Sequence, residues 1–126
     1  MPERYRLRLG KTGEDLACRA LRRRGYEILD RRYRTRAGEL DIIARENGTL
    51  VFVEVKTRSS ARFGHPFDAV TRAKQRKLVA MADDYLARKG WQGRPCRFDV
   101  VGLSMRETGR PIVEIVTNAF EAEWWS

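Results

Sequence analysis

Asp41, Glu54 and Lys56 are the residues whose types and spacing could do chemistry together in this chain. Two neighbouring carboxylates repel each other unless a cation lies between them or one of them takes up a proton. Carboxylate oxygens suit Mg²⁺ or Mn²⁺, and a lysine two residues beyond Glu54 on the same strand reaches the same site. The three residues therefore predict a divalent-metal site. The alternative is a solvated sheet face with scattered charges.

A β-hairpin centred on Asn47-Gly48 would bring the two acids together. This dipeptide is typical of two-residue hairpin turns, because both turn residues must tolerate positive φ. Strand-like segments, 38–46 and 49–57, flank it, and a two-residue loop pairs residue 46 with 49, 43 with 52, 41 with 54 and 39 with 56. Directly opposite residues share a face of the sheet. One face is then predicted to be wholly apolar, with Leu40, Ile42, Ala44, Val51, Val53 and Val55, and the other carries Glu39, Asp41, Ile43, Phe52, Glu54 and Lys56.

The remaining elements follow from periodicity and from helix-terminating glycines. A first helix is predicted over 13–24, capped by Thr12, and a second helix, capped by Thr71, runs to Lys89 and ends at Gly90. Further strands are predicted at 26–29, 97–103 and 111–116. The order α-β-β-β-α-β-β predicts an α/β fold with a mixed sheet flanked by helices. The second helix forms a crossover between sheet segments, which implies one parallel strand pair.

Two polar residues on these helices are candidates for the same site. Glu14 begins the apolar stripe of the first helix, formed by Ala17, Cys18 and Leu21. Glu14 could simply be exposed at the helix end, where an acid suits the positive dipole, or it could point inward next to the acidic hairpin. Gln75 leans toward the core side of the second helix.

The charge distribution predicts a polyanionic partner. The formal net charge is +9, and residues 1–36 carry twelve Lys or Arg against five acids, while residues 57–77 carry six against one. Of the 26 cations 21 are Arg, which binds phosphate oxygens through two parallel hydrogen bonds and stacks on bases. The alternative is a generic basic surface. Nucleic acid is the favoured partner, although charge alone does not distinguish DNA, RNA and anionic lipid.

Length and composition predict one domain over 1–126, with a mobile loop at 57–65 and a C-terminal tail at 119–126. No apolar stretch approaches membrane-spanning length and no secretory signal is present, so we expect a cytoplasmic protein without a membrane partner. Cys18 and Cys96 are expected to be reduced. Trp124-Trp125 could pack on the sheet or form a dimer contact.

Several segments together resemble a known superfamily. Glu14 in the first helix, then G-E-L-D-I-I at 38–43 and V-F-V-E-V-K-T-R at 51–58, resemble the PD-(D/E)xK nucleases with their restriction-endonuclease-like fold. Within this superfamily the pattern resembles archaeal Holliday-junction resolvases and, more closely, the small bacterial YraN-type family of unassigned function. The latter resemblance spans nearly the whole chain, including 67–71, 74–75 and 97–101. Leu40 occupies the position of the motif's proline, a departure that resolvase-like members share.

The resemblance implies a role for each candidate. Asp41 and Glu54 would hold the metal, aided by the Val55 carbonyl, and Lys56 would orient or activate the attacking water. Glu14 would contact the metal through water or complete its surroundings, and Gln75 would support the site. The basic residues expected to contact nucleic acid, DNA in preference to RNA, are Arg34, Arg36, Arg58, Arg62, Arg72 and Lys74.

Three classes of function remain open from the sequence. The first is a Mg²⁺- or Mn²⁺-dependent endonuclease that hydrolyses phosphodiester bonds of structured or branched DNA. The second is a non-catalytic nucleic-acid-binding protein that retains the nuclease fold. The third is a basic scaffold or assembly protein, bound to RNA or to another protein, with Trp124 and Trp125 as anchors. Cleavage of branched junctions would require a homodimer that places two sites.

Overall fold

The structure is a computed structural model that describes the backbone of residues 3–58, 70–104, 106 and 109–122, and the side chains of the same ranges from residue 13, except residue 58. The elements are α1 (Glu3–Arg23), β1 (Glu27–Thr35), β2 (Gly38–Glu46), β3 (Thr49–Arg58), α2 (Arg72–Lys89), β4 (Cys96–Ser104) and β5 (Ile112–Phe120). The predicted order α-β-β-β-α-β-β is confirmed.

The five strands form one mixed sheet in the order β1-β2-β3-β4-β5. The pairs β1–β2, β2–β3 and β4–β5 are antiparallel, whereas β3 and β4 are parallel. A parallel pair needs a crossover connection, and α2 lies in the segment that joins β3 to β4. The predicted parallel pair is therefore confirmed.

The hairpin between β2 and β3 has the predicted turn and register near its tip. Asn47 and Gly48 have φ values of 48° and 81°, as this turn type requires. Glu46 pairs with Thr49, and the ladder ends at the pair Ile42–Val53. The predicted pairs of residue 41 with 54 and of 39 with 56 lie beyond that end. Just beyond that end, Asp41 Oδ2 accepts a hydrogen bond from the Val55 backbone N–H at 2.8 Å.

Both faces of the sheet are covered, as the prediction of a sheet flanked by helices requires, and the alternative of a solvated face does not hold. The α1 side contains Ala17, Cys18, Leu21, Tyr26, Ile42, Ala44, Val51, Val53, Val101 and Leu103. The α2 side contains Leu40, Ile43, Leu50, Phe52, Val70, Leu78, Met81, Ala82, Tyr85, Leu86, Phe98, Val100 and Ala122. The prediction that Leu40 shares a face with Ile42 is wrong, since strand alternation breaks where the β2–β3 ladder ends. The acidic residues thus lie at the edge of a packed layer.

Helix α2 has the predicted ends. Thr71 is the N-cap, and its Oγ1 accepts a hydrogen bond from the Lys74 backbone N–H at 3.2 Å. Gly90 adopts the left-handed conformation with φ of 69° at the C-cap, which glycine does without a Cβ clash. These two caps define the residues at which α2 begins and ends.

Helix α1 begins earlier than predicted. It starts at Glu3, so Thr12 lies inside the helix and does not cap it. Gly13 has a packing reason to be glycine, because a Cβ there would collide with Thr57 Oγ1 and approach Leu103 Cδ1 to 3.3 Å. The helix therefore rests closely on β3 and β4 at this point. Neither helix is long and apolar enough to cross a membrane, within the described part of the chain.

The edge strands are longer than predicted. β1 continues through the basic run to Thr35, and β5 extends to Phe120, so residues 119 and 120 belong to the sheet and not to a tail. Residues 57 and 58, expected in a loop, belong to β3. The rest of the predicted loop, 59–65, and the Trp124-Trp125 pair lie outside the described residues.

A buried charge network lies near the hairpin turn. Asp99 is 1% exposed and accepts hydrogen bonds from Tyr26 Oη at 2.7 Å and from the Asn118 backbone N–H at 2.9 Å. Arg97 Nε lies 3.0 Å from Asp99 Oδ1, and Arg97 Nη2 lies 2.6 Å from Glu46 Oε1. A buried carboxylate is tolerated only when its charge and lone pairs are satisfied in this way. This network joins β2, β4 and β5 to Tyr26, the residue just before β1.

Candidate functional site

Asp41 and Glu54 interact where β2 and β3 separate. Glu54 is only 8% exposed. Burial, and secondarily the charge of Glu54, raise the pKa of Asp41 from its ordinary value of 3.8 to about 7, although the hydrogen bond from the Val55 N–H opposes this rise. The two acids are therefore electrostatic neighbours, and the pair carries an unfavourable charge that a proton or a cation would relieve.

Two lysines share the Glu54 carboxylate. Lys74 Nζ lies 2.7 Å from Glu54 Oε1, and Lys56 Nζ lies 3.6 Å from the same oxygen. Burial and the neighbouring Lys74 lower the pKa of Lys56. Burial acts in the same direction on Lys74 and is the largest single effect, but the hydrogen bonds to Glu54 and Lys56 and the charges of Glu54 and Asp41 together outweigh it, so the pKa of Lys74 is raised. Lys74, which the sequence suggested only as a nucleic-acid contact, lies at the centre of the site.

Glu14 points inward, toward the sheet, and not outward from a helix end. It is 8% exposed, and its carboxylate contacts two arginines of β1. Arg31 Nε lies 2.9 Å from Glu14 Oε1, and Arg32 Nε lies 3.2 Å from both Glu14 oxygens. Glu14 is also among the charges that raise the pKa of Asp41. Glu14 thus lies close to the two acids, but its own partners are guanidinium groups.

A local backbone feature lets both arginines reach one carboxylate. Successive residues of a strand normally point to opposite faces. Arg32 has a positive φ of 52°, which is uncommon outside glycine and asparagine, and it breaks this alternation. Beyond Arg32, the paired residues Tyr33 and Leu40 both belong to the α2 side. The irregularity at Arg32 therefore accompanies the displaced position of Leu40 and places a second cation beside Glu14.

The other predicted residues are distributed around the site. Gln75 Nε2 donates a hydrogen bond to the Val70 carbonyl at 3.2 Å, so its described contact is with the chain just before α2. Arg34 is 88% exposed and pairs with Glu39 at 3.1 Å. Arg36 and Arg72 are also exposed. The Arg58 side chain and all of Arg62 lie outside the described residues.

The donor set limits what kind of cation could bind. The described side chains contain no group of three or more His, Cys, Asp or Glu arranged to hold a metal ion. Asp41 and Glu54 supply two hard carboxylates, and Asp41 uses Oδ2 for the Val55 N–H. Mg²⁺ is commonly held by one or two carboxylates together with water and substrate phosphate. The pair fits that mode of binding and does not fit a closed, all-protein cage.

Sequence reasoning missed Arg31 and Arg32 as partners of Glu14. Their basic run was visible, but nothing in it distinguished them from Arg34 and Arg36. The central position of Lys74 had one signal, because it lies in the first turn after Thr71, at the end of α2 that follows β3.

Fold and site define a small mixed α/β protein in which acids on a central hairpin are surrounded by Lys and Arg. The chain belongs to the uncharacterised protein family UPF0102, whose sequence model matches residues 13–103. It is 50% identical over 115 residues to a UPF0102 protein of Symbiobacterium thermophilum, covering 91% of this chain and 98% of that protein. It is also similar to UPF0102 proteins of Geobacter sulfurreducens, at 50% identity over 90% of this chain and 88% of the relative, and of Rhodococcus jostii, at 46% over 92% and 98%. The expected membership of a small bacterial family of unassigned function is confirmed.

Proposed function

We propose that the protein is a metal-dependent endonuclease that hydrolyses phosphodiester bonds of structured or branched DNA. The observation that carries the proposal is that Asp41 Oδ2 is bound at 2.8 Å by the backbone N–H of Val55, the residue between Glu54 and Lys56, while Lys56 Nζ lies 3.6 Å from Glu54. Two carboxylates and a lysine on two interior strands of a mixed sheet are the groups that this chemistry uses. The order of the elements and the inward-facing Glu14 further support membership of the PD-(D/E)xK superfamily.

Each residue has a defined task in this proposal. Asp41 and Glu54 would hold Mg²⁺ or Mn²⁺, which when bound polarises a phosphoryl oxygen and lowers the pKa of a coordinated water. Asp41 is oriented by the Val55 N–H, so its Oδ1 is the atom available for this purpose among the described contacts. Lys56 stabilises the negative charge that develops on the phosphate.

The surrounding arginines would hold the substrate backbone. Arg31 and Arg32 lie next to the site through Glu14, and Arg32 directs only its Nε to that carboxylate. Its terminal nitrogens have no other protein partner among the described contacts, which suits a phosphate oxygen. Arg34, Arg36 and Arg72 extend the basic surface. Contacts of this kind bind the backbone and carry no base specificity.

Cleavage assays test the proposal. Purified protein is incubated with duplex, single-stranded, flap and four-way DNA in Mg²⁺ or Mn²⁺, and with EDTA as a blank. We expect metal-dependent cleavage that Lys56→Ala and Asp41→Asn abolish, while Lys77→Ala, an exposed lysine on α2, retains it. Equal residual activity in wild type and Lys56→Ala would mark the cleavage as contamination and overturn the proposal.

One observation favours a second candidate, a nucleic-acid-binding protein without hydrolysis. Glu54 already pairs with Lys74 at 2.7 Å and Glu14 with Arg31 at 2.9 Å, so these acids have cationic partners within the chain. Such a protein would bind DNA equally well with and without EDTA, and its affinity would fall steeply with salt. Filter binding across a salt series, with and without Mn²⁺, distinguishes the two candidates.

A further inference from the structure

Glu54 Oε1 is contacted by two cations of the protein, and the closer one comes from a different element. Lys56 is on the same strand as Glu54, whereas Lys74 reaches across from α2. The Lys74 backbone is fixed, because its N–H donates to Thr71 Oγ1 at the helix cap. Its side chain can nevertheless swing on four methylenes, so the ammonium can leave Glu54 while the helix stays in place.

A carboxylate oxygen 2.7 Å from an ammonium cannot bind a divalent cation in its inner sphere at the same time without close repulsion between the two cations. In the absence of metal, the Lys74 ammonium therefore supplies the positive charge that balances Glu54. Glu54 is 8% exposed, so solvent screens this pair less than a surface pair.

The geometry points to Lys74 as a built-in counter-cation that competes with the divalent metal for Glu54 and is released when the metal binds. This inference rests on the proposed function, since it concerns the same metal site. In the metal-free protein Lys74 neutralises Glu54, and Asp41 forms no salt bridge among the described residues. In the metal-bound protein the Lys74 ammonium is free to meet a phosphate oxygen of the substrate beside the site.

This arrangement makes metal and nucleic acid support each other. Metal binding releases a cation for the phosphate, and a phosphate that engages Lys74 removes the competitor of the metal. Coupling between two ligands is reciprocal, so the gain in metal affinity caused by DNA equals the gain in DNA affinity caused by metal. Lys74 would carry a part of that coupling.

Calorimetric titration with Mn²⁺ alone tests the competition directly. We compare wild type with Lys74→Met, which removes the competing charge, and Lys74→Arg, which keeps it. Lys77→Met is the matched control, since it removes one cation from an exposed position of the same helix. Lys74→Met is expected to bind Mn²⁺ about five- to tenfold more tightly than wild type, the range for one partly buried ion pair. Lys74→Arg and Lys77→Met are expected to stay within about twofold of wild type on the same grounds.

A second measurement follows the metal in the wild-type protein itself. Nuclear magnetic resonance of lysine side-chain ammonium groups detects those whose ion pairs slow proton exchange. On addition of Mg²⁺ the Lys74 signal is expected to shift or disappear from wild type. The Lys74→Met protein serves only to assign that signal.

The outcomes separate this inference from the proposed function. If wild type binds no Mn²⁺, even with duplex DNA present, the proposed function fails and the inference fails with it. If wild type binds Mn²⁺ but Lys74→Met binds with equal or lower affinity, only the competition is refuted. An unchanged Lys74 ammonium signal at saturating Mg²⁺ refutes it independently of any substitution.

Discussion

Replacing Asp41 by asparagine should make the metal-free protein more stable at alkaline pH. The raised pKa of Asp41 means that the folded protein retains a proton which the unfolded chain releases between about pH 4 and pH 7. The contribution of Asp41 to the free energy of unfolding is therefore fully present below about pH 4 and is lost as the pH rises through about 7. Asparagine keeps an oxygen for the Val55 N–H and carries no charge next to Glu54.

The magnitude follows from the same pKa. A change from 3.8 to about 7 corresponds to ~4 kcal/mol, at about 1.4 kcal/mol per pKa unit. Relaxation around Glu54 reduces this, so we expect Asp41→Asn to be more stable than wild type by about 2–4 kcal/mol at pH 8. The difference should shrink toward zero near pH 4, where the wild-type carboxyl is neutral.

Urea unfolding at several pH values, in EDTA throughout, measures this difference. Asp83→Asn is the control, because Asp83 is exposed on α2 and its replacement changes the net charge equally. Titrating groups common to both proteins cancel in the comparison. Equal or lower stability of Asp41→Asn at pH 8 would show that the acid pair is not strained in the folded protein.

Three further substitutions test the packing that supports the site. Arg97→Met leaves Asp99 buried without its cation and should cost about 3 kcal/mol in urea unfolding. Gly13→Ala should destabilise the protein by about 1–2 kcal/mol, because the added Cβ collides with Thr57, and this outweighs the better helix propensity of alanine. Adding Thr57→Ala should recover most of that loss. Thr71→Ala removes the N-cap of α2 and should cost about 1 kcal/mol, read from the midpoint of thermal unfolding.

A different result would contradict each of these three predictions. A loss below about 1 kcal/mol for Arg97→Met would mean that the two hydrogen bonds from Tyr26 and Asn118 suffice for Asp99. A Gly13→Ala protein as stable as wild type would show that α1 moves away from β3 without cost. An unaffected melting temperature in Thr71→Ala would show that the helix start is held by tertiary contacts alone.

The hairpin and α2 could be predicted because their signals are local. Asn47-Gly48 specifies its turn through backbone conformation, and Thr71 and Gly90 mark the two ends of one helix. These signals also place Asp41, Glu54 and Lys56 in one region. The proximity of Glu14 to the acids was one of two interpretations that the sequence left open.

What escaped prediction depends on contacts between distant segments. The sequence predicted a sheet flanked by helices, but it did not show that α2 packs against Ile43 and Phe52 or that Lys74 lies 2.7 Å from Glu54. The positive φ at Arg32 has no local sequence signal, and it accompanies the position of Leu40 on the α2 side. Thr12 resembled a cap because Asp15 lies three residues on, in a capping-box position, yet the backbone of residues 3–12 is already helical.

The parallel pairing of β3 with β4 has a consequence for how the molecule assembles. The β2–β3 hairpin closes over two residues, so Asp41 and Glu54 can meet within microseconds of chain collapse. β4 and α2 join only after the long segment between Arg58 and Cys96 has been ordered, and such non-local pairing is slow. In this order of assembly the acids come together before Lys74 reaches them, and the later docking of α2 offsets a part of their mutual repulsion, since Glu54 still raises the pKa of Asp41 in the folded protein.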